Sequence, residues 1–302
     1  MTQQQAATEP AGDPLTRPER VYAKYCVILA MTRPDPRWIE AIETSIGGGG
    51  LTLVRHRSGE RLNLENGDAT LVVVEDLKSL DDLGIHEFVV IASDLPPFVG
   101  AGEEPSEPEA LSRLSELLAW CGALPAAQTT FYSRADALEG RREITTPGGL
   151  RLTAPDLGAE PDGPLNMYRT GKPEIGQGAD WPPEIFVYGR KKAKGRGVEI
   201  DLTGPPGLVV SGPHLYLPPG CWEVKAELIF DEGATRRKYR IEWGGLEQFE
   251  SLDFYPEKAG VYALAMRHDF ASVDFAELRI VLLDSTIDGM IAFSGAKVGR
   301  IA

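Results

Sequence analysis

Between Val198 and Ala302 apolar and polar residues alternate in eight short runs, each closed by Gly, Pro or Asp. A period of two puts successive side chains on opposite faces of a strand, so each run has one face to bury. The runs are Val198 to Thr203, Leu208 to Leu217, Cys221 to Phe230, Arg237 to Trp243, Gln248 to Phe254, Val261 to Arg267, Phe275 to Leu283 and Gly289 to Arg300. The connections, among them Gly-Pro-Pro-Gly, Pro-Pro-Gly and Asp-Glu-Gly, supply positive φ through Gly and block ladder hydrogen bonds through Pro. Eight such strands predict an all-β sandwich of the jelly-roll kind.

The alternation also sorts side chains by face. Trp222, Val224, Ala226, Leu228 and Phe230 share one side of their run, and Glu223, Lys225 and Glu227 the other. Tyr239, Ile241 and Trp243 oppose Lys238, Arg240 and Glu242, which makes Trp222, Tyr239 and Trp243 core residues first. Trp243 is nonetheless kept among the ligand-binding candidates. Leu215 and Leu217 turn inward, whereas His214 and Tyr216 turn outward. Arg267 and Arg279 also fall on outward sides. If their strands share a sheet, His214, Tyr216, Arg267 and Arg279 form one polar face. Exposed aromatic rings stack on apolar sugar faces, with polar groups at the rim fixing hydroxyls.

The phrase SGPHLYLPPGCWEV, and the closing strand DGMIAFSGAKVG, resemble the carbohydrate-binding-module-like β-sandwich domains of bacterial surface-polysaccharide and glycosyltransferase proteins. The resemblance covers the last third of the chain and rests on a turn between two strands. It implies a sandwich fold and a glycan or polysaccharide ligand, and it transfers no ligand-binding residue.

The preceding half has a different rhythm. Continuous apolar runs at Tyr25 to Met31, Leu51 to Arg55, Ala69 to Glu75, Glu87 to Ala92 and Gln128 to Tyr132 read as buried parallel strands. Helices are expected from Asp35-Pro36 through Trp38, Ile39, Ile42 and Ile46, over Ser79 to Leu83, over Glu109 to Trp120 and over Ala135 to Gly140. Strands alternating with helices predict a small doubly wound, Rossmann-like α/β domain. Gly47 to Gly50 follow a helix and precede a strand, the reverse of a dinucleotide loop, so they read as a helix stop. The outline resembles a receiver domain, with Asp76 at the end of the third strand. Where that family carries an acidic pair, this chain has Thr32, Arg33 and Pro34, and Arg134 stands in for its Lys. The resemblance therefore implies no active phospho-acceptor.

The expected organisation is a disordered tail over 1–19, an α/β domain over 20–140, a linker over 141–183 and a jelly-roll-like sandwich over 184–302, with Glu184 to Tyr188 pairing with Val198 to Leu202. The net charge of −14 argues against nucleic acid and anionic membranes as partners. Cys26, Cys121 and Cys221 have no metal spacing and suit a reducing compartment. Without an apolar leader, and with no apolar run of membrane-spanning length, the expectation is a cytoplasmic protein. No cofactor is expected. Asp253, Asp269, Asp274, Asp284 and Asp288 are oxygen donors of the kind that ligate Ca²⁺, but they lack a fixed spacing, and turn chemistry accounts for them. The basic run Arg190 to Arg196 reads as a solvated turn, and His268-Asp269 as a surface pair without a nucleophile beside it. The leading expectation is a non-catalytic carbohydrate-binding protein of bacterial surface-polysaccharide assembly or recognition, its α/β domain meeting a protein partner. The alternatives are a protein-interaction module with no small ligand, and a nucleotide-sugar-binding or glycosyltransferase-like enzyme.

Overall fold

The computed structural model describes residues 21–31, 35–47, 50–56, 70–74, 83–92, 108–156, 163–190, 192–193 and 198–302. In the first unit, β1 (Val21–Leu29), β2 (Thr52–His56), β3 (Thr70–Val74), β4 (Leu83–Ala92) and β5 (Thr129–Ser133) form one parallel sheet in the order β2-β3-β1-β4-β5. α1 (Pro36–Ile46) starts where the Asp35 carboxylate accepts the Arg37 N–H at 2.9 Å, with Pro36 in the first turn, where a missing N–H costs nothing. Its buried stripe of Trp38, Ile39, Ile42 and Ile46 joins Val27, Leu29, Leu71 and Val89 in one core. α2 (Pro108–Cys121) contributes Leu111, Leu114, Leu117 and Leu118 to a second core with Cys26, Ile28, Val72 and Val90. Helices thus cover both faces, as the strand–helix alternation requires. α3 (Arg134–Leu138) closes the unit with a capping box between Ser133 and Asp136.

The strand order departs from the receiver outline. In that fold β1 lies between β2 and β3. Here β3 separates β1 from β2, and the order matches neither common doubly wound arrangement. Asp76, the Thr32–Pro34 segment, Ser79 to Asp82 and the middle of the glycine cluster lie outside the described residues. Leu83, expected to end a short helix, begins β4.

The stretch expected to be a linker has structure of its own. β6 (Glu143–Thr145) and β7 (Arg151–Thr153) form a hairpin. Its Ile144, Leu150 and Leu152 belong to the core beneath α1. Farther on, β8 (Gly178–Trp181) pairs with a sandwich strand, and Trp181 and Tyr168 are buried with the sandwich core. The second unit therefore starts before residue 184. β9 (Val187–Tyr188) was expected against the Val198 strand. It pairs instead with Val210 and Ser211, while β10 (Lys192–Ala193) takes the Val198 strand.

The sandwich comprises β11 (Val198–Asp201), β12 (Gly207–Leu217), β13 (Gly220–Phe230), β14 (Tyr239–Gly244), β15 (Phe249–Phe254), β16 (Gly260–Phe270), β17 (Asp274–Leu282) and β18 (Met290–Arg300). Its first sheet runs β10-β11-β18-β13-β16, and its second β15-β14-β17-β12-β9. In each sheet first and last strands lie side by side with strands from the middle of the chain, the jelly-roll arrangement of two interleaved Greek keys. Trp222, Val224, Leu228 and Phe230 meet Tyr239, Ile241, Trp243, Leu278 and Ile280 across the interior. The same core continues into α2, so the two units are packed as one body. His268, read as a surface residue, is buried on the inner side of β16, edge-on to Phe270 at 4.7 Å.

Candidate functional site

The outer face of the second sheet is built in cross-strand rows. Glu242 of β14, Arg279 of β17 and Ser211 of β12 are directly opposite one another. Glu277 lies one row along, opposite Pro213 and Gly244. Arg279 Nη2 donates to Glu277 Oε2 at 2.6 Å, and Nη1 lies 3.7 Å from Glu242 Oε2. The guanidinium is 4.1 Å from the centre of the Phe249 ring, a cation–π contact that holds its plane. Ser211 Oγ donates to Glu277 Oε1 at 2.5 Å, and His214 Nε2 is 3.2 Å from the same oxygen.

Only 4% of the Glu277 side chain is exposed. Burial pushes its carboxyl pKa up, but the bonds from Arg279 and Ser211 outweigh that and hold it below the usual carboxylate range. The group is thus an anion kept in place by three neighbours.

His214 is the extra residue of a β-bulge. The β12–β17 register runs from Pro213–Glu277 directly to Leu215–Ala276, leaving His214 without a ladder partner. Its φ of 61° is left-handed, which costs a non-glycine residue roughly 1–2 kcal/mol. The bulge aims the imidazole at Glu277 and edge-on at Phe275, with ring centres 5.6 Å apart. Tyr216 meets the same Phe275 ring at 6.2 Å. Burial, followed by the nearby Glu116 and Asp274 carboxylates, raises the Tyr216 phenol pKa, so it stays a neutral hydrogen-bonding group. Three part-exposed rings therefore stand beside a fixed set of planar polar groups.

Of the residues singled out from sequence, His214, Tyr216 and Arg279 come together here. Trp243 does not. It is fully buried, its ring 5.9 Å from Trp181 and 6.0 Å from Phe270, and its indole N–H donates to the Trp222 carbonyl at 3.3 Å. No ligand on the surface reaches it. Arg267 lies in the other sheet, on β16, bonded to Glu223 of β13 at 3.0 Å. The single polar face expected from sequence is thus divided between two sheets. Phe275, Glu277, Glu242 and Phe249 were missed. The first two carry a signal, because Phe275, Glu277 and Arg279 alternate along one run, but their meaning depends on which strands neighbour β17.

The outer face of the first sheet holds a cleft of about 570 Å³. One row crosses it: Asp180 of β8, Lys297 of β18, Lys225 of β13 and Ala265 of β16. Gly295, at φ 94°, lets the chain after β8 approach. A Cβ there would lie 2.3 Å from the Trp181 carbonyl oxygen, so the cleft wall needs glycine. Its lining is mainly alanine, proline and charged side chains, and Trp181, the one aromatic lining residue, is buried in the core.

Two of the five aspartates accept backbone N–H groups and a third forms ion pairs. Asp284 accepts the Lys238 N–H at 2.6 Å, Asp274 the Leu246 and Phe275 N–H groups, and Asp253 pairs with Arg240 and Lys238. Among the described residues no group of three or more His, Cys, Asp or Glu is placed to hold a metal ion. Arg190 donates to the carbonyls of Leu202, Thr203 and Pro205 beyond the end of β11, and residues 191 and 194–197 of the basic run lie outside the described residues. No helix among the described residues is long and apolar enough to cross a membrane.

No protein-family model matches the chain. No curated protein matches it either. Among solved structures, the chain is similar to TmCBM61 in complex with β-1,4-galactotriose, at 12% identity and a TM-score of 0.28, over 35% of this chain and 72% of that one. It is similar to the C-terminal CBM6 of LamC, a marine laminarinase from Zobellia galactanivorans, at 8% identity and a TM-score of 0.27, over 41% of this chain and 99% of that one. A family 35 carbohydrate-binding module from Clostridium thermocellum matches at 13% identity and a TM-score of 0.27, over 40% of this chain and 96% of that one. The jelly-roll assignment itself stands on the strand order of the two sheets.

Proposed function

We propose that the protein binds carbohydrate, without catalysing a reaction, on the outer face of the second sheet, and that it serves the assembly or recognition of a bacterial surface polysaccharide. The observation that carries this reading is the Tyr216–Phe275–His214 ring cluster beside the Arg279, Glu277 and Glu242 groups. A sugar presents an apolar C–H face and a rim of hydroxyls that both donate and accept. The rings supply the apolar contact. The guanidinium and the carboxylates supply donors and acceptors whose positions are already paid for by their mutual bonds.

The reading is tested by a glycan-array screen of the full chain beside Tyr216→Ala. Saturable binding to a defined glycan is expected, weakened more than tenfold in the variant, as for a central aromatic contact. Binding that survives Tyr216→Ala and falls in Lys225→Ala would place the ligand in the cleft of the first sheet instead. Silence of the folded parent chain across neutral and acidic glycans would reject carbohydrate binding and leave the protein-interaction reading.

A further inference from the structure

Beyond Ser211, no strand among the described residues lies on the outer edge of β12, since β9 pairs with Val210 and Ser211. The backbone groups that point outward there are bonded by other parts of the chain. Ser112 Oγ of α2 donates to the His214 carbonyl at 3.0 Å. The Tyr216 N–H donates to Ser115 Oγ of α2 at 2.9 Å, and the Tyr168 hydroxyl donates to the Tyr216 carbonyl at 2.9 Å. Ser112 and Ser115 are three apart, so they project from one side of the helix. Ser115 is fully buried, and its hydroxyl is used twice, since it also donates to the Ser112 carbonyl at 2.6 Å.

We infer that α2 of the α/β unit is a working part of the ligand face: Ser112 and Ser115 are positioning residues that set the backbone of His214 and Tyr216, and through it the two rings. This rests on the carbohydrate-binding reading of that face. His214 is the unpaired residue of a bulge in an unfavourable conformation, so the β12–β17 ladder gives its backbone no partner residue. Tyr216 is paired on one edge only, to Phe275. The bonds from α2 and Tyr168 complete the set. Without the α2 hydroxyls, the His214 carbonyl and the Tyr216 N–H would lose these partners. The α/β unit thereby acquires a role in recognition.

The test uses the full chain and two readouts. The first is retention on gels carrying galactan, xylan, β-1,3-glucan or alginate. The second is amide hydrogen exchange at His214 and Tyr216. Ser112→Ala/Ser115→Ala is expected to weaken retention about fivefold, the effect of losing a hydrogen bond that holds a contact residue, and to speed Tyr216 exchange more than tenfold. Ser112→Thr, which keeps the hydroxyl, is expected to behave as the parent. Tyr168→Phe removes one hydroxyl and serves if the double variant fails to fold. It is expected to shift both readouts in the same direction.

Loss of retention in Tyr216→Ala with parental retention and exchange in the serine and Tyr168 variants would overturn the positioning role and leave the proposed face intact. Unchanged retention in Tyr216→Ala would reject the face itself. If no gel retains the parent, exchange decides: parental rates at Tyr216 in the serine variant would contradict the inference, and faster rates would uphold the backbone role.

Discussion

Trp243→Ala is expected to destabilise the protein by about 3–5 kcal/mol, the usual cost of emptying a buried tryptophan site. The indole is fully enclosed, touches Trp181 and Phe270, and spends its N–H on the Trp222 carbonyl. Removing it leaves a cavity between the two sheets at the point where β8 joins the core. Equilibrium urea unfolding measures the loss. Because one hydrophobic cluster runs from the sandwich into α2, both units are expected to unfold in a single transition. Glycan affinity of the fraction that remains folded should match the parent. A loss below about 1 kcal/mol, or a selective loss of affinity, would return Trp243 to the surface.

Arg279→Ala is expected to be the costliest change on the outer face, at about 2–3 kcal/mol near neutral pH. Stripping one partner from a buried charge usually costs 3–5 kcal/mol, and water reaching the third of Arg279 that is exposed offsets part of it. Glu277 keeps Ser211 and His214 but loses its strongest partner. The pH dependence follows from the sign of the shift. In the parent the folded carboxyl lies below its ordinary value of 4.5. Its contribution to stability is therefore complete above about pH 4.5 and is lost as the pH falls through the lower folded value. Without Arg279, burial dominates and pushes the folded pKa up, so the ionised group costs stability at neutral pH and the penalty fades on acidification. Thermal unfolding of both proteins from pH 7 to pH 4 should show the gap closing. A gap independent of pH would mean that Arg279 acts through its packing on Phe249 alone.

The sandwich was legible because an antiparallel strand with one buried face writes its geometry into every second residue. Trp222, Val224, Leu228 and Phe230, or Tyr239, Ile241 and Trp243, needed only their parity to be placed inside. By the same rule Trp243 could not serve a surface ligand, and the structure upholds the alternation. Sheet membership is another matter, because it is a pairing of strands far apart in the chain. Arg267 and Arg279 have equivalent patterns, yet β16 pairs with β13 and β17 lies between β12 and β14.

The stretch from 163 to 183 left no periodic trace, and Glu184 to Tyr188 showed a strand without its true partner. Together they consist of single turns and strands of four and two residues, and the burial of Tyr168 and Trp181 comes from what packs around them. The β6–β7 hairpin did leave one: Ile144 and Leu152 flank Pro147-Gly148-Gly149, a turn signal between two short apolar positions. In the α/β unit the strands and the two long helices followed from apolar runs and the Asp35 cap. The order β2-β3-β1-β4-β5 did not, since nothing local distinguishes which buried strand neighbours which. The bulge at His214 was equally hidden, because a bulge is a property of two strands together.

Where a carbohydrate sits on the sandwich decides between its two outer faces. Hydroxyl-radical footprinting of the full chain, with and without saturating glycan from the array or the polysaccharide panel, reads this directly. Protection is expected at Tyr216 and Phe275 and at the β17 segment carrying Arg279, with Lys225, Ala265 and Lys297 oxidised as in the free protein. Protection confined to the cleft of the first sheet, or none under conditions where the glycan is bound, would contradict binding on the second sheet.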